Sequence, residues 1–247
     1  MEYETASTIA DFTRHLSAVH ERIDSAARKA GRDPSEIRLL PVSKTVSESR
    51  IRNALAAGCT RLGENKVQEA ARKHEALADT PAEWAIIGHL QTNKAKDVAA
   101  FASEFQALDR LKVAEALDRR LQTHGRSLDV YVQVNTSGEA SKFGVEPDGV
   151  LDLLTALKNI ETLKVRGLMT LAVFTDDKEP VRRCFRLLRH IRDSVRDTDP
   201  DLIGPGELSM GMSGDFELAI EEGSNVVRVG QAIFGRRATK DSDYWPA

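Results

Sequence analysis

Asp129-Val130-Tyr131-Val132-Gln133-Val134-Asn135 is the stretch that decides the fold. β-Branched and aromatic residues run through it with polar residues at both ends, the pattern of a strand buried on both faces. A Gly-containing loop over residues 137–144 follows, and then Val150, Leu153, Leu154 and Leu157 recur at helical spacing. Residues 163–170 read as the next strand. Strand, loop, helix, strand is the repeating unit of a parallel α/β protein.

Working outward, the same alternation covers the rest of the chain. Ile9, Phe12, Leu16, Val19, Ile23 and Ala26 mark an amphipathic N-terminal helix, stopped at Gly31 ahead of Asp33-Pro34. The first strand is Arg38-Leu39-Leu40-Pro41-Val42-Ser43-Lys44-Thr45, and Ser47 is placed to cap a helix that ends at Gly58. Further strands are expected at Arg61-Leu62-Gly63-Glu64-Asn65, at residues 83–89, and at Phe105-Gln106-Ala107-Leu108-Asp109. Helices are expected over 67–77 and 92–100, and around Leu111, Ala114, Leu117 and Leu121. Beyond residue 170 come a helix over 179–195, a strand at Glu207-Leu208-Ser209-Met210-Gly211, a helix around Phe216 and Ile220, and a strand at Asn225-Val226-Val227-Arg228-Val229-Gly230.

Eight strands alternating with helices in 247 residues predict a single domain over 1–247: a closed (β/α)8 TIM barrel with an extra N-terminal helix. The competing architecture is an open doubly wound sheet. It calls for a Gly-rich dinucleotide turn after the first strand, and none is present. Pro41 sits awkwardly in this scheme, because proline cannot donate to a ladder.

The bulk numbers narrow the function classes. Net charge is −3 with acids and bases interspersed, so no nucleic-acid groove or basic membrane patch is expected. No apolar run reaches membrane-spanning length, and the acidic start Met1-Glu2-Tyr3-Glu4 is unlike a signal peptide. Cys59 and Cys184 have no metal-type spacing and read as small core residues within helices, in a reducing compartment. The expectation is a cytoplasmic protein with no metal site.

In such barrels the chemistry lies at the C-terminal ends of the strands. Lys44 stands there, on the same face as Leu40 and Val42 by period-two alternation. An amine in an apolar mouth loses proton affinity and becomes a Schiff-base nucleophile, unless it simply snorkels to solvent. After the seventh strand comes Ser209-Met210-Gly211-Met212-Ser213-Gly214-Asp215. After the eighth comes Gly230-Gln231-Ala232-Ile233-Phe234-Gly235. Backbone N–H groups exposed at these two places form the habitual phosphate site of the barrel, although Ser213 is equally placed to cap the next helix. Arg228 lies on the face of Val226 and Gly230. It calls for a partner, either a strand-end acid such as Glu64 or Asp109 or a ligand heteroatom. His89 is a rim residue with no nucleophile at a telling distance in sequence. A reactive Lys, a phosphate cradle and an Arg aimed into the mouth together suggest pyridoxal 5′-phosphate (PLP), with Arg228 at the pyridine nitrogen.

Several motifs occur in the order that one family has them. They are Val42-Ser43-Lys44-Thr45; Gly63-Glu64-Asn65 with Val67-Gln68-Glu69; Ile87-Gly88-His89-Leu90-Gln91 with Asn93-Lys94; Arg166-Gly167-Leu168-Met169; Leu208-Ser209-Met210-Gly211-Met212-Ser213; and Val227-Arg228-Val229-Gly230 with Ile233-Phe234-Gly235. Over about residues 38–236 the chain resembles the pyridoxal phosphate homeostasis protein family, related to the barrel domain of alanine racemases. The resemblance implies a fold-type III barrel with Lys44 as the cofactor lysine. It places Ser209, Ser213, Gly230 and Gln231 at the phosphate, Arg228 near the ring nitrogen, and Asn65 and Met210 near the cofactor. Three positions depart from the family pattern: Pro41 and Ala85, and Gln231 in place of a small hydroxyl residue. At Gln231 only the backbone N–H carries over.

The resemblance further implies a carrier that holds PLP and delivers it, with PLP-dependent apo-enzymes as receivers, rather than an enzyme. The alternatives are a racemase-like PLP enzyme and a class I aldolase with Lys44 as its Schiff-base lysine. Racemases resembling this barrel add a β domain that supplies a second acid–base group across a dimer. Here about a dozen residues follow Gly235, so two-base chemistry lacks its partner and a monomer is expected.

Overall fold

In the computed structural model, which describes residues 3–139 and 141–236, eight parallel strands lie in the order β1-β8-β7-β6-β5-β4-β3-β2. The strands are β1 (Arg38–Pro41), β2 (Arg61–Glu64), β3 (Glu83–Ile86), β4 (Glu104–Leu108), β5 (Leu128–Gln133), β6 (Leu163–Met169), β7 (Glu207–Ser209) and β8 (Val226–Val229). The helices are α1 (Ile9–Lys29), α2 (Glu48–Ala56), α3 (Val67–Ala76), α4 (Ala95–Phe101), α5 (Leu111–His124), α6 (Val150–Leu157), α7 (Lys178–Thr198), α8 (Phe216–Glu221) and α9 (Gln231–Phe234). The expected alternation is therefore present, and the barrel is nearly closed. β1 and β2 share no ladder; they meet at a bridge between Val42 and Gly63 and in a Ser43 N–H bond to the Gly63 carbonyl at 3.0 Å.

That seam accounts for Pro41. Val42 donates to Val229 on β8 and Ser43 donates to Gly63 on β2, so successive N–H groups alternate between the two neighbours. The missing N–H of Pro41 would have pointed toward β2, where no ladder exists to receive it. On its other side Pro41 pairs in register with Val229. The proline occupies an edge in all but name, the position strands tolerate it.

The N-terminal helix is not an addition to the barrel. A barrel needs an outer helix after each strand, and after β8 the described residues supply only the four of α9. α1 packs against α8, α9 and α2 and takes the place of the missing eighth outer helix. Its buried face, Phe12, Leu16, Val19 and Ile23, meets Val227, Val229, Ile220 and Phe234 in one apolar cluster. A capping box of Thr8 and Asp11 starts the helix. A Schellman motif ends it: Gly31, at φ +69°, donates to Arg28, and Arg32 donates to Ala27.

Inside the barrel, alternation puts Val227 and Val229 outward against the helices and Val226 and Arg228 inward. The inward face is more polar than the strand sequences suggest, with Glu104, Gln106, Tyr131, Ser209 and Arg228 all buried there. Cys184 is buried in α7, as expected. Cys59 lies just past α2 rather than inside a helix, and burial pushes its thiol up to about 12. Among the described residues, no helix is long and apolar enough to cross a membrane, and no group of His, Cys, Asp or Glu is placed to hold a metal ion.

Candidate functional site

Lys44 is not in the strand. β1 stops at Pro41, and residues 43–46 form a turn closed by a Val46 N–H bond to the Ser43 carbonyl at 3.0 Å. Thr45 holds φ +66°, the one positive value outside glycine among the described residues. A β-branched residue there carries strain on the order of 1–3 kcal/mol, so the surroundings must hold it. They do so from α3. Glu69 Oε1 accepts the Thr45 N–H at 2.8 Å, and Lys73 Nζ donates to the Ser43 carbonyl at 2.8 Å. Lys73 also reaches Glu69 Oε1 at 2.7 Å and Glu64 Oε1 at 2.8 Å, while Ser43 Oγ donates to the same Glu64 oxygen at 2.6 Å. Lys73 and Glu64 are fully buried. Burial pushes the Glu64 carboxyl up against the opposing pull of Lys73, and its Oε2 has no hydrogen-bond partner. The outcome is a turn clamped at both ends that carries Lys44, itself only 7% exposed, at the barrel mouth.

Arg228 lies on the neighbouring strand, in register with Leu40 of β1. It is 3% exposed, and neither acid suggested by the sequence, Glu64 or Asp109, pairs with it. Instead Nη1 donates to Ser209 Oγ at 2.7 Å and Nη2 to the Thr170 carbonyl at 2.8 Å, both neutral acceptors. Burial lowers the guanidinium to about 10, with the Asp215 charge pulling the other way, so it stays cationic at neutral pH. Ser209 is thus tied to Arg228. Its own proton goes to Gln106 Oε1 at 2.7 Å.

Ser213 does not cap α8. Asp215 stands at the N-cap position and accepts the Met212 N–H at 2.5 Å. Ser213 Oγ instead reaches the β8–α9 junction, where the Gly230 and Ala232 N–H groups approach it at 3.3 and 3.4 Å. These are long bonds, so the two N–H groups are held together but weakly satisfied. Gln231, between them, is half-buried, and Met210 is fully buried core next to Ser209. Asn65 is half-buried beyond β2. The Gly88 backbone lies so close to it that a Cβ there would come within 2.2 Å of the Asn65 carbonyl oxygen, which explains the glycine.

The structure therefore groups the expected residues into Lys44 on its clamped turn, Arg228 with Ser209, and Ser213 with Gly230. Sequence reading missed the supports, Lys73, Glu69 and Gln106. Lys73 did leave a signal, falling three residues after Ala70 and four before Leu77 on the apolar face of α3. His89 also has more around it than a rim residue needs. Its Nδ1 lies 3.2 Å from Asp109 Oδ2, and its ring stacks on Phe143 at 3.8 Å. Burial pushes its pKa down, and a carboxylate at Nδ1 fixes the neutral tautomer with the proton there.

Comparison with known proteins bears on the family and the fold. The family model for the alanine racemase N-terminal domain matches residues 15–238. The pyridoxal phosphate homeostasis protein of Aquifex aeolicus is 42% identical over 222 residues, covering 90% of this chain and 96% of the relative. The protein of the same name from Pseudomonas aeruginosa is 41% identical, covering 94% and 96%. Among solved structures, PipY of Synechococcus elongatus with PLP bound superposes with a TM-score of 0.79 at 32% identity, covering 91% of this chain and 100% of PipY. Alanine racemase from Corynebacterium glutamicum shares the fold alone, at a TM-score of 0.69 and 16% identity over 96% of this chain and 64% of the racemase. A barrel of the alanine racemase type, matched over nearly its whole length by relatives of one name, places this chain in the pyridoxal phosphate homeostasis protein family.

Proposed function

We propose that the protein binds pyridoxal 5′-phosphate through a Schiff-base link to Lys44 and acts as an intracellular carrier that holds the cofactor for delivery, without turnover of its own. The observation that carries this reading is the placement of three unlike groups at the mouth between β1, β7 and β8. They are a nearly buried lysine on a hydrogen-bonded turn, a buried arginine whose hydrogen bonds among the described residues go to neutral acceptors, and two backbone N–H groups drawn together at Ser213.

The residues fit the group. A phosphate oxygen accepts far more strongly than a serine hydroxyl, so Gly230, Ala232 and Ser213 suit the phosphate. Arg228 brings a cationic donor suited to an unprotonated pyridine nitrogen. Lys44 would hold the cofactor by its primary amine, for which the group would supply an aldehyde, the condensation releasing one water. The family resemblance further assigns Asn65 and Met210 a place near the cofactor and Gln231 a backbone contact. The chain's own residues otherwise do little chemistry; they hold, orient and exclude water. The names of the curated relatives support a homeostatic role over a catalytic one.

Purified protein mixed with PLP should give an imine absorbance, and borohydride reduction should fix the mass of the cofactor on the Lys44 peptide. Lys44→Ala should lose both. A reduced adduct elsewhere with Lys44 unmodified overturns the anchor. Transfer of bound cofactor to a PLP-dependent apo-enzyme is the expected activity. Racemisation of alanine by the pure protein at enzyme-like rates overturns the carrier reading.

A further inference from the structure

The barrel interior contains a chain of hydrogen bonds whose direction is fixed from its far end. Glu104, 1% exposed, sits low in the barrel, where its Oε2 accepts from Arg38 at 2.7 Å and from Arg61 at 2.9 Å. A carboxylate held by two guanidinium groups can only accept. Its other oxygen, Oε1, is 2.5 Å from Gln106 Nε2. The Gln106 amide therefore has one orientation, with NH2 toward Glu104 and oxygen toward Ser209. That oxygen takes the single proton of Ser209 at 2.7 Å. With its proton held by Gln106, the Ser209 hydroxyl has a fixed rotor, and Nη1 of Arg228 donates to its lone pairs at 2.7 Å. The opposite side of the guanidinium is held by the Thr170 carbonyl at 2.8 Å. Thr170 is itself anchored through its hydroxyl to the Val134 carbonyl at 2.8 Å.

Resting on the pyridoxal phosphate reading above, we propose that Gln106 is a positioning residue for recognition of the cofactor's ring nitrogen, acting through Ser209 and Arg228. Ordinary barrel packing would fill this layer with aliphatic side chains, which pack without polar partners. A glutamine here needs partners to be tolerated, and each of its polar atoms has one, Glu104 at nitrogen and Ser209 at oxygen. Its effect is to pin the Ser209 hydroxyl, so that the lone pairs Arg228 meets stay in one place. The plane of the Arg228 fork is then set by two neutral acceptors, and the fork keeps its charge and further N–H donors for a ligand acceptor. A pyridine nitrogen is such an acceptor. A ring carbon in its place is not.

The test compares PLP with its 1-deaza analogue, in which a C–H replaces the ring nitrogen. A hydrogen bond to a charged donor corresponds to about tenfold or more in affinity, and wild type should prefer PLP by that factor. Gln106→Met, close in volume, should bring the preference toward unity while Lys44 is still labelled on borohydride reduction. Gln106→Glu, which facing the Glu104 carboxylate must hold a proton and so keeps a donor toward Glu104 and an acceptor oxygen toward Ser209, should restore the preference. If Gln106→Met weakens both ligands equally and the preference persists, Gln106 is a packing residue and the proposal fails. It fails equally if Gln106→Glu folds and shows no preference. Should wild type form no Lys44 adduct with either ligand, the cofactor reading itself is overturned, a result distinct from the other two.

Discussion

Lys73 and Glu64 illustrate how much of this site rests on single residues out of contact with solvent. Lys73 Nζ binds Glu64, Glu69 and the Ser43 carbonyl at once, with no exposure to water. Lys73→Met keeps most of the volume and removes the charge. Glu64 is then a buried carboxylate facing one hydroxyl, and removing one partner of a buried pair costs about 3–5 kcal/mol. The expected result is an unfolding free energy lowered by that amount, seen as a lower denaturation midpoint, with Lys44 labelling by PLP slowed in whatever remains folded, because the Ser43–Thr45 turn loses one of its two clamps. An unchanged midpoint would mean that the network is not formed. Lys44 and Arg228 could be read from the sequence because each breaks an apolar run. Lys73 is harder to read, because Arg72, His74 and Glu75 flank it and its one signal is helical spacing from Ala70 and Leu77. Gln106 and Ser209 meet across 103 positions of chain, and nothing local to either announces the other.

At the scale of elements, α1 contributes more than its position before the barrel suggests. Periodicity correctly located the helix and its stop at Gly31, but it could not say where the helix packs, since that depends on the brevity of α9 at the far end of the chain. Phe12 is fully buried and meets Phe234 of α9 edge to face, with ring centroids 5.5 Å apart. Phe12→Ala should cost about 3–5 kcal/mol in chemical denaturation, as for a core aromatic. A loss near zero would show that α1 does not fill the eighth outer position. The start of the same helix responds to acid. Backbone hydrogen bonding from Thr8, then its hydroxyl, holds the Asp11 carboxyl below the usual carboxylate range. A folded-state pKa below the unfolded value gives a contribution that is full above about pH 4 and lost as pH falls through the folded value. Wild type should therefore exceed Asp11→Asn in stability near neutrality and converge with it in strong acid. Convergence as pH rises would reverse the sign and refute the capping box.

For the whole molecule, the strand count, the parallel order and the barrel were legible because buried parallel strands read as apolar runs spaced by amphipathic helices. The seam between β1 and β2 was not, because it depends on where the pairing of those two strands stops. The β1–β2 seam is the least paired place in the barrel, joined by one bridge and the Ser43 bond to Gly63, with Pro41 unable to add another. Local opening concentrates where backbone bonds are few. Val42 donates into the continuous β1–β8 ladder at 2.9 Å, whereas Ser43 donates across the seam at 3.0 Å. Bond lengths this close predict nothing by themselves; the difference lies in the number of neighbouring bonds that must break together. Hydrogen exchange should therefore find the Ser43 amide exchanging through local opening and the Val42 amide only through larger unfolding. Because Lys44 follows Ser43 directly, adding PLP should slow exchange at Ser43 far more than at Val42. Equal protection of the two amides, with and without PLP, would show that the seam is as firmly closed as the rest of the barrel and that the Lys44 turn is no looser than the strands beside it.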